Sequence, residues 1–75
     1  MNSAKLCQAF LNNTPIEGVI YSHNDFVKIV SGEHEGKFCS LVTVLQLTPE
    51  PLFIAELESG FDVKVWQSQI SASGL

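Results

Sequence analysis

Val27-Lys28-Ile29-Val30-Ser31-Gly32-Glu33-His34-Glu35-Gly36-Lys37-Phe38 is the stretch on which the fold turns. A short apolar strand runs into a loop bracketed by two glycines, which reads as a structural corner. Everything downstream takes its direction and register from this corner, and the pattern around it is that of a small β-barrel. The corner speaks to a fold more than to an activity.

Residues 26–30 form the strand entering the corner and residues 38–47 the long strand leaving it. In the second strand Leu41, Val42, Val44, Leu45 and Leu47 place apolar groups on both faces, which suits a strand that bends and is covered on both sides for part of its length. Thr48-Pro49-Glu50-Pro51 is a turn, because its prolines fix φ and remove donors. Residues 52–58 then alternate, with Phe53, Ala55 and Leu57 on one side and Ile54, Glu56 and Glu58 on the other. A hairpin leads on to residues 62–66. A two-residue loop would oppose Leu57 to Asp62, whereas a three-residue loop of Ser59-Gly60-Phe61 opposes Leu57 to Val63 and Ala55 to Val65, keeping the apolar sets on one face. The other face would then pair Glu56 with Lys64 and Ile54 with Trp66. Residues 67–70 read as one helical turn that returns Ile70 to the core, and residues 71–75 as a tail.

Upstream of the corner, residues 3–12 have helical spacing, with Leu6, Cys7, Phe10 and Leu11 on one broad face and Asn2 or Ser3 as cap. Asn12-Asn13-Thr14-Pro15 stops the helix. So short a helix is unstable alone in water, so its apolar face must dock, and its own barrel is the favoured site. Residues 18–22 form a weak strand candidate, followed by turn chemistry at His23-Asn24-Asp25.

The 75 residues make one domain, with the helix over residues 3–12 and the barrel over residues 18–70. Apolar residues make up 45% of the chain, which places it with folded proteins. Its net charge of −4, with four lysines and no arginine, disfavours a strong nucleic-acid binder, whose affinity comes largely from Lys and Arg on phosphates. No stretch has the length or apolarity to cross a bilayer and no secretory signal is visible, so the expected location is cytoplasmic. Cys7 and Cys39 are accordingly expected as free, buried thiols.

At the corner the chain resembles the KOW motif of ribosomal proteins and of NusG-type transcription elongation factors. Val30-Ser31-Gly32, Gly36-Lys37 at the family's spacing, and Leu41 and Val44 at its apolar positions carry the resemblance. It runs more loosely through residues 55–60 and Val63-Lys64-Val65, covering roughly residues 26–70. It implies a mainly β fold: a small SH3-like barrel of four to five antiparallel strands with a short N-terminal α-helix. Two departures stand out. Cys39 occupies a place where the family usually has glycine, and Glu33-His34-Glu35 puts acid where relatives often carry the basic loop that meets RNA. What the resemblance implies for nucleic acid is left to Lys28, Lys37 and Lys64.

No constellation for catalysis stands out, so no enzyme and no cofactor is expected. Glu33-His34-Glu35 with His23 lacks metal-ligand spacing. Cys7 and Cys39 have no local nucleophile signature, and Glu56 and Glu58 share an exposed strand face with no predicted pocket. The candidate partner surface is Trp66 and Ile54, with Leu52 and Leu45 nearby, on the nominally outer face. One reading has the helix, through Leu6 and Phe10, packed over Trp66; the other has Trp66, Ile54, Leu52 and Phe10 meeting a partner, another copy of the chain included. The expected function is a non-enzymatic module binding protein or itself. The alternatives are a KOW-like module docking on RNA or a ribosomal or transcription complex, and an acidic, antitoxin-like inhibitor presenting Glu33, Glu35, Glu50, Glu56 and Glu58 to a basic protein.

Overall fold

The structure is a computed structural model and describes residues 3–72. It is mainly β: one helix, α1 (Ser3–Leu11), precedes five strands, β1 (Phe26–Ile29), β2 (Phe38–Gln46), β3 (Leu52–Leu57), β4 (Asp62–Trp66) and β5 (Ile70–Ala72), with a 3₁₀ turn over Gln67–Gln69 between the last two. The strands form a single antiparallel sheet in the order β4-β3-β2-β1-β5. Among the described residues, no helix is long and apolar enough to cross a membrane.

Alternation decides the core. Val27 and Ile29 of β1, Cys39, Leu41 and Val44 of β2, Phe53, Ala55 and Leu57 of β3, Val65 of β4 and Ile70 of β5 are buried together. In β2 the alternation slips by one between Leu41 and Val44, because the ladder to β3 shifts register between Leu41 and Thr43 and again between Val44 and Gln46. Those irregularities are why apolar residues occupy both parities of this strand: the bulged strand bends, and its side chains are re-aimed.

Leu6 and Phe10 bring α1 onto this core, where the Phe10 ring lies 5.7 Å from that of Phe53. The helix thus docks on the sheet of its own chain. It ends with Asn13 at φ +57, Thr14 N–H donating to the Ala9 carbonyl at 2.8 Å and Asn13 N–H to that of Phe10 at 3.1 Å. This paired closure satisfies carbonyls the last turn leaves open. The expected Asn2 cap lies outside the described residues.

Three expectations are corrected. Residues 18–22 do not enter the sheet. They cross it as an irregular segment, held by Gln67, whose Oε1 accepts from Ile20 N–H at 3.1 Å and whose Nε2 donates to the Gly18 carbonyl at 3.0 Å. Ser71 and Ala72 are not the start of a tail: with Ile70, which is buried as expected, they form β5, which pairs with β1 through Val27 opposite Ala72 and Ile29 opposite Ile70.

The hairpin register is the third correction. Leu57 N–H donates to the Phe61 carbonyl and Gly60 N–H to the Leu57 carbonyl, both at 2.8 Å, so the loop is Glu58-Ser59-Gly60 with Gly60 at φ +95. A three-residue hairpin needs a left-handed residue at its third position, and the expected loop would have put Phe61 there. The register therefore moves by two residues: Ala55 opposes Val63, Glu56 opposes Asp62, Ile54 opposes Lys64 and Leu52 opposes Trp66. An even shift keeps every side chain on its expected face and changes only its neighbour.

Candidate functional site

The core alternation of β3 and β4 leaves Leu52, Ile54 and Glu56 with Asp62, Lys64 and Trp66 on the outer face. Trp66 sits directly across from Leu52 and diagonal to Ile54, so these three half-buried residues come together as expected. Phe10 does not join them. It is 2% exposed on the core side, edge-on to His23 at 6.1 Å, and that packing withdraws it from any partner. The reading in which α1 covers Trp66 is overturned by the same packing, because Leu6 and Phe10 bury themselves with Phe53 on the opposite side of the sheet.

Trp66 also borders a cleft of about 460 Å³. Val63, Lys64, Val65 and Trp66 line it from β4, Ser31, Glu33 and His34 from the β1–β2 loop, and Ile29 and Gln69 complete it. Gln69 ties the two sides: its Oε1 accepts from Trp66 N–H at 2.9 Å, and its backbone carbonyl accepts from Val30 N–H at 2.7 Å. Gly32, at φ +93, allows this closeness, because a Cβ there would stand 2.5 Å from Gln69 Nε2. The turn holding Gln69 is fixed in its turn by Glu50, whose carboxylate accepts from Ser68 N–H at 2.8 Å and from Ser68 Oγ at 2.9 Å. That contact is a side-chain cap from another loop.

The backbone of β4 turns every second pair of groups away from β3, and of these the Trp66 N–H is taken by Gln69. Leu57 N–H donates to Phe61 and Gln67 N–H to the Pro51 carbonyl at 2.9 Å, so the bonded pairs of the β3–β4 ladder fall on odd-numbered residues of β4. In an antiparallel ladder bonded and non-bonded pairs alternate, so the backbone groups of Asp62, Lys64 and Trp66 point away from β3. Since β4 ends the sheet, Asp62 and Lys64 form an edge with no further strand beside it, while the Trp66 N–H is capped by Gln69.

The lysines divide. Lys28 lies opposite Phe38 in the β1–β2 ladder, with its Nζ 5.9 Å from the ring centroid, and Lys37 is the next residue along. Phe26 and Phe38 stack with ring centroids 5.4 Å apart and planes 5° from parallel. Lys64 stands apart on β4, across β2 and β3. The stacked pair escaped sequence reasoning, though the two phenylalanines flank the corner at matching parity.

His34 Nε2 lies 3.9 Å from the Glu33 carboxylate. Among the described residues, no group of three or more His, Cys, Asp or Glu side chains gathers as a metal site would require. Cys7 and Cys39 are not joined; Cys7 Sγ lies 3.8 Å from the Val44 carbonyl, and burial pushes the Cys39 thiol above its ordinary pKa. Comparison with protein-family models, curated proteins and solved structures finds no match for the chain.

Proposed function

We propose that the chain is a non-enzymatic binding module with the architecture of an SH3-like small barrel, which contacts a protein partner or a second copy of itself through Trp66, Ile54 and Leu52. The barrel reading is supported by the strand order, with β5 beside β1, by the bulged β2 and by the 3₁₀ turn before β5. A cytoplasmic setting suits two unpaired thiols.

The observation that carries the binding role is the position of Trp66. An indole on the face opposite the helix, beside an unpaired strand edge, is the aromatic anchor that protein interfaces favour. Trp66→Ala tests it. The expected outcome is loss of the partner or of self-association, measured by affinity capture with mass spectrometry and by sedimentation, with the circular dichroism of the fold retained. A variant that unfolds, or that keeps every association, removes this role.

A second reading follows the KOW resemblance to RNA or a nucleoprotein machine. It is supported by the Phe26–Phe38 stack with Lys28 over it, because nucleobases stack on aromatic platforms beside cations. Such binding must weaken as salt is added, through counterion release. No retention on RNA in low salt would remove it.

A further inference from the structure

Resting on the self-associating branch of the proposed function, we infer that β4 is a homodimer edge: two copies pair antiparallel along β4, centred on Val63, so that Asp62 of each lies opposite Lys64 of the other. Three observations lead there. The backbone groups of Asp62 and Lys64 point away from β3 and have no strand beyond them. Asp62 and Lys64 are both exposed and, among the described residues, neither has an ion-pair partner. Within one chain, moreover, Asp62 is set against Glu56 and Lys64 against Ile54, so neither charge lies directly opposite a counter-charge in the ladder.

Register selects the pairing. Only residues whose backbone groups face outward can share ladder bonds, which restricts the partners to Asp62, Lys64 and Trp66. Centred on Asp62, the ladder would oppose two aspartates; centred on Lys64, it would oppose two lysines. A register opposing Lys64 to Trp66 would need the Trp66 N–H, which Gln69 already holds. Centring on Val63 instead gives two bonded pairs, each an aspartate facing a lysine, related by a two-fold axis as a closed dimer requires. In this register Gly60 of the β3–β4 turn of the second copy comes opposite Trp66, at the end of the cleft that Trp66 borders.

Charge reversal tests this on the full chain. Lys64→Asp makes both positions acidic and Asp62→Lys makes both basic. Each variant alone is expected to dissociate at least about tenfold more readily than the native chain in sedimentation equilibrium, since attraction at two symmetric pairs becomes repulsion. Mixing the two variants restores a heterodimer, and a chain carrying both substitutions dimerises again. Independently, the Lys64 amide of the native chain gains hydrogen-exchange protection as protein concentration rises. A native chain that stays monomeric at high concentration, or single variants that associate as it does, overturns the inference. If the dimer is absent but Trp66→Ala still abolishes capture of a partner, only this inference fails; if capture is also indifferent to Trp66, the proposed function fails with it.

Discussion

Glu56 and Asp62 face each other across the β3–β4 ladder, two carboxylates on the exposed side of the sheet with no ion-pair partner for either among the described residues. Like charges set directly opposite destabilise a sheet, and here the tight turn at Gly60 imposes the pairing. Removing one of them should therefore help. Glu56→Thr is expected to raise stability by about 0.5 kcal/mol in urea unfolding at low salt, with the gain shrinking as salt screens the pair. No gain at low salt would mean that the two carboxylates do not feel each other.

The corner glycines separate conformation from contact. Gly32 and Gly36 share φ +93, but a Cβ at Gly36 meets nothing within 4 Å, whereas one at Gly32 meets the Gln69 amide. Both alanine variants carry the penalty of the left-handed backbone, roughly 1 kcal/mol. Gly32→Ala should lose about 1 kcal/mol more, because displacing Gln69 leaves Trp66 N–H without its acceptor. Repeating the pair in a Gln69→Ala background should erase that difference.

Phe10 and Trp66 are expected to part company on truncation. Phe10→Ala empties a fully buried position against Phe53 and should cost about 3–5 kcal/mol, enough to threaten so small a fold. Trp66→Ala removes a half-buried side chain from the outer face and should cost under about 1.5 kcal/mol, since its cross-strand neighbours there, Leu52 and Ile54, are themselves only half-buried. Equal losses in thermal unfolding would place Trp66 in the core.

Cys39 makes stability depend on alkaline pH. Burial holds its thiol above the ordinary value of 9.0, so folded and unfolded chains both keep the proton at neutral pH and nothing is lost. Above about 9 the unfolded chain releases the proton while the folded one retains it, and stability falls as pH rises toward the folded-state value. Cys39→Ala should flatten that decline in urea titrations between pH 8 and about 10.

How far the sequence told this depends on the range of the interactions. The run of apolar residues from Leu41 to Leu47 revealed a bent strand because a bulge leaves a local signature in alternation. The helix was equally legible, since Leu6 and Phe10 are spaced by one turn and Asn13 accepts a positive φ. Residues 18–22 misled because Val19, Ile20 and Tyr21 have strand composition, while what holds them is the distant Gln67 amide and a Tyr21 hydroxyl donating to the Ile70 carbonyl at 3.3 Å. β5 had no alternation of its own to show; β1 draws Ser71 and Ala72 into the sheet. The grouping of Trp66, Ile54 and Leu52 was legible from parity, but the cleft was not, because Glu33 and His34 of the β1–β2 loop come to line it with Trp66 only in three dimensions.

Trp66 is the sole tryptophan of the chain, so its fluorescence reports on the outer face alone. The most direct measurement is acrylamide quenching of that emission as the protein is concentrated and, separately, as a captured partner is added, with far-ultraviolet circular dichroism followed in parallel. The expected result is an indole open to quencher in the dilute chain and progressively shielded on association, with secondary structure unchanged. Quenching that stays constant through both titrations, while association is seen by sedimentation, would place the contact elsewhere and contradict a docking role for the Trp66 face.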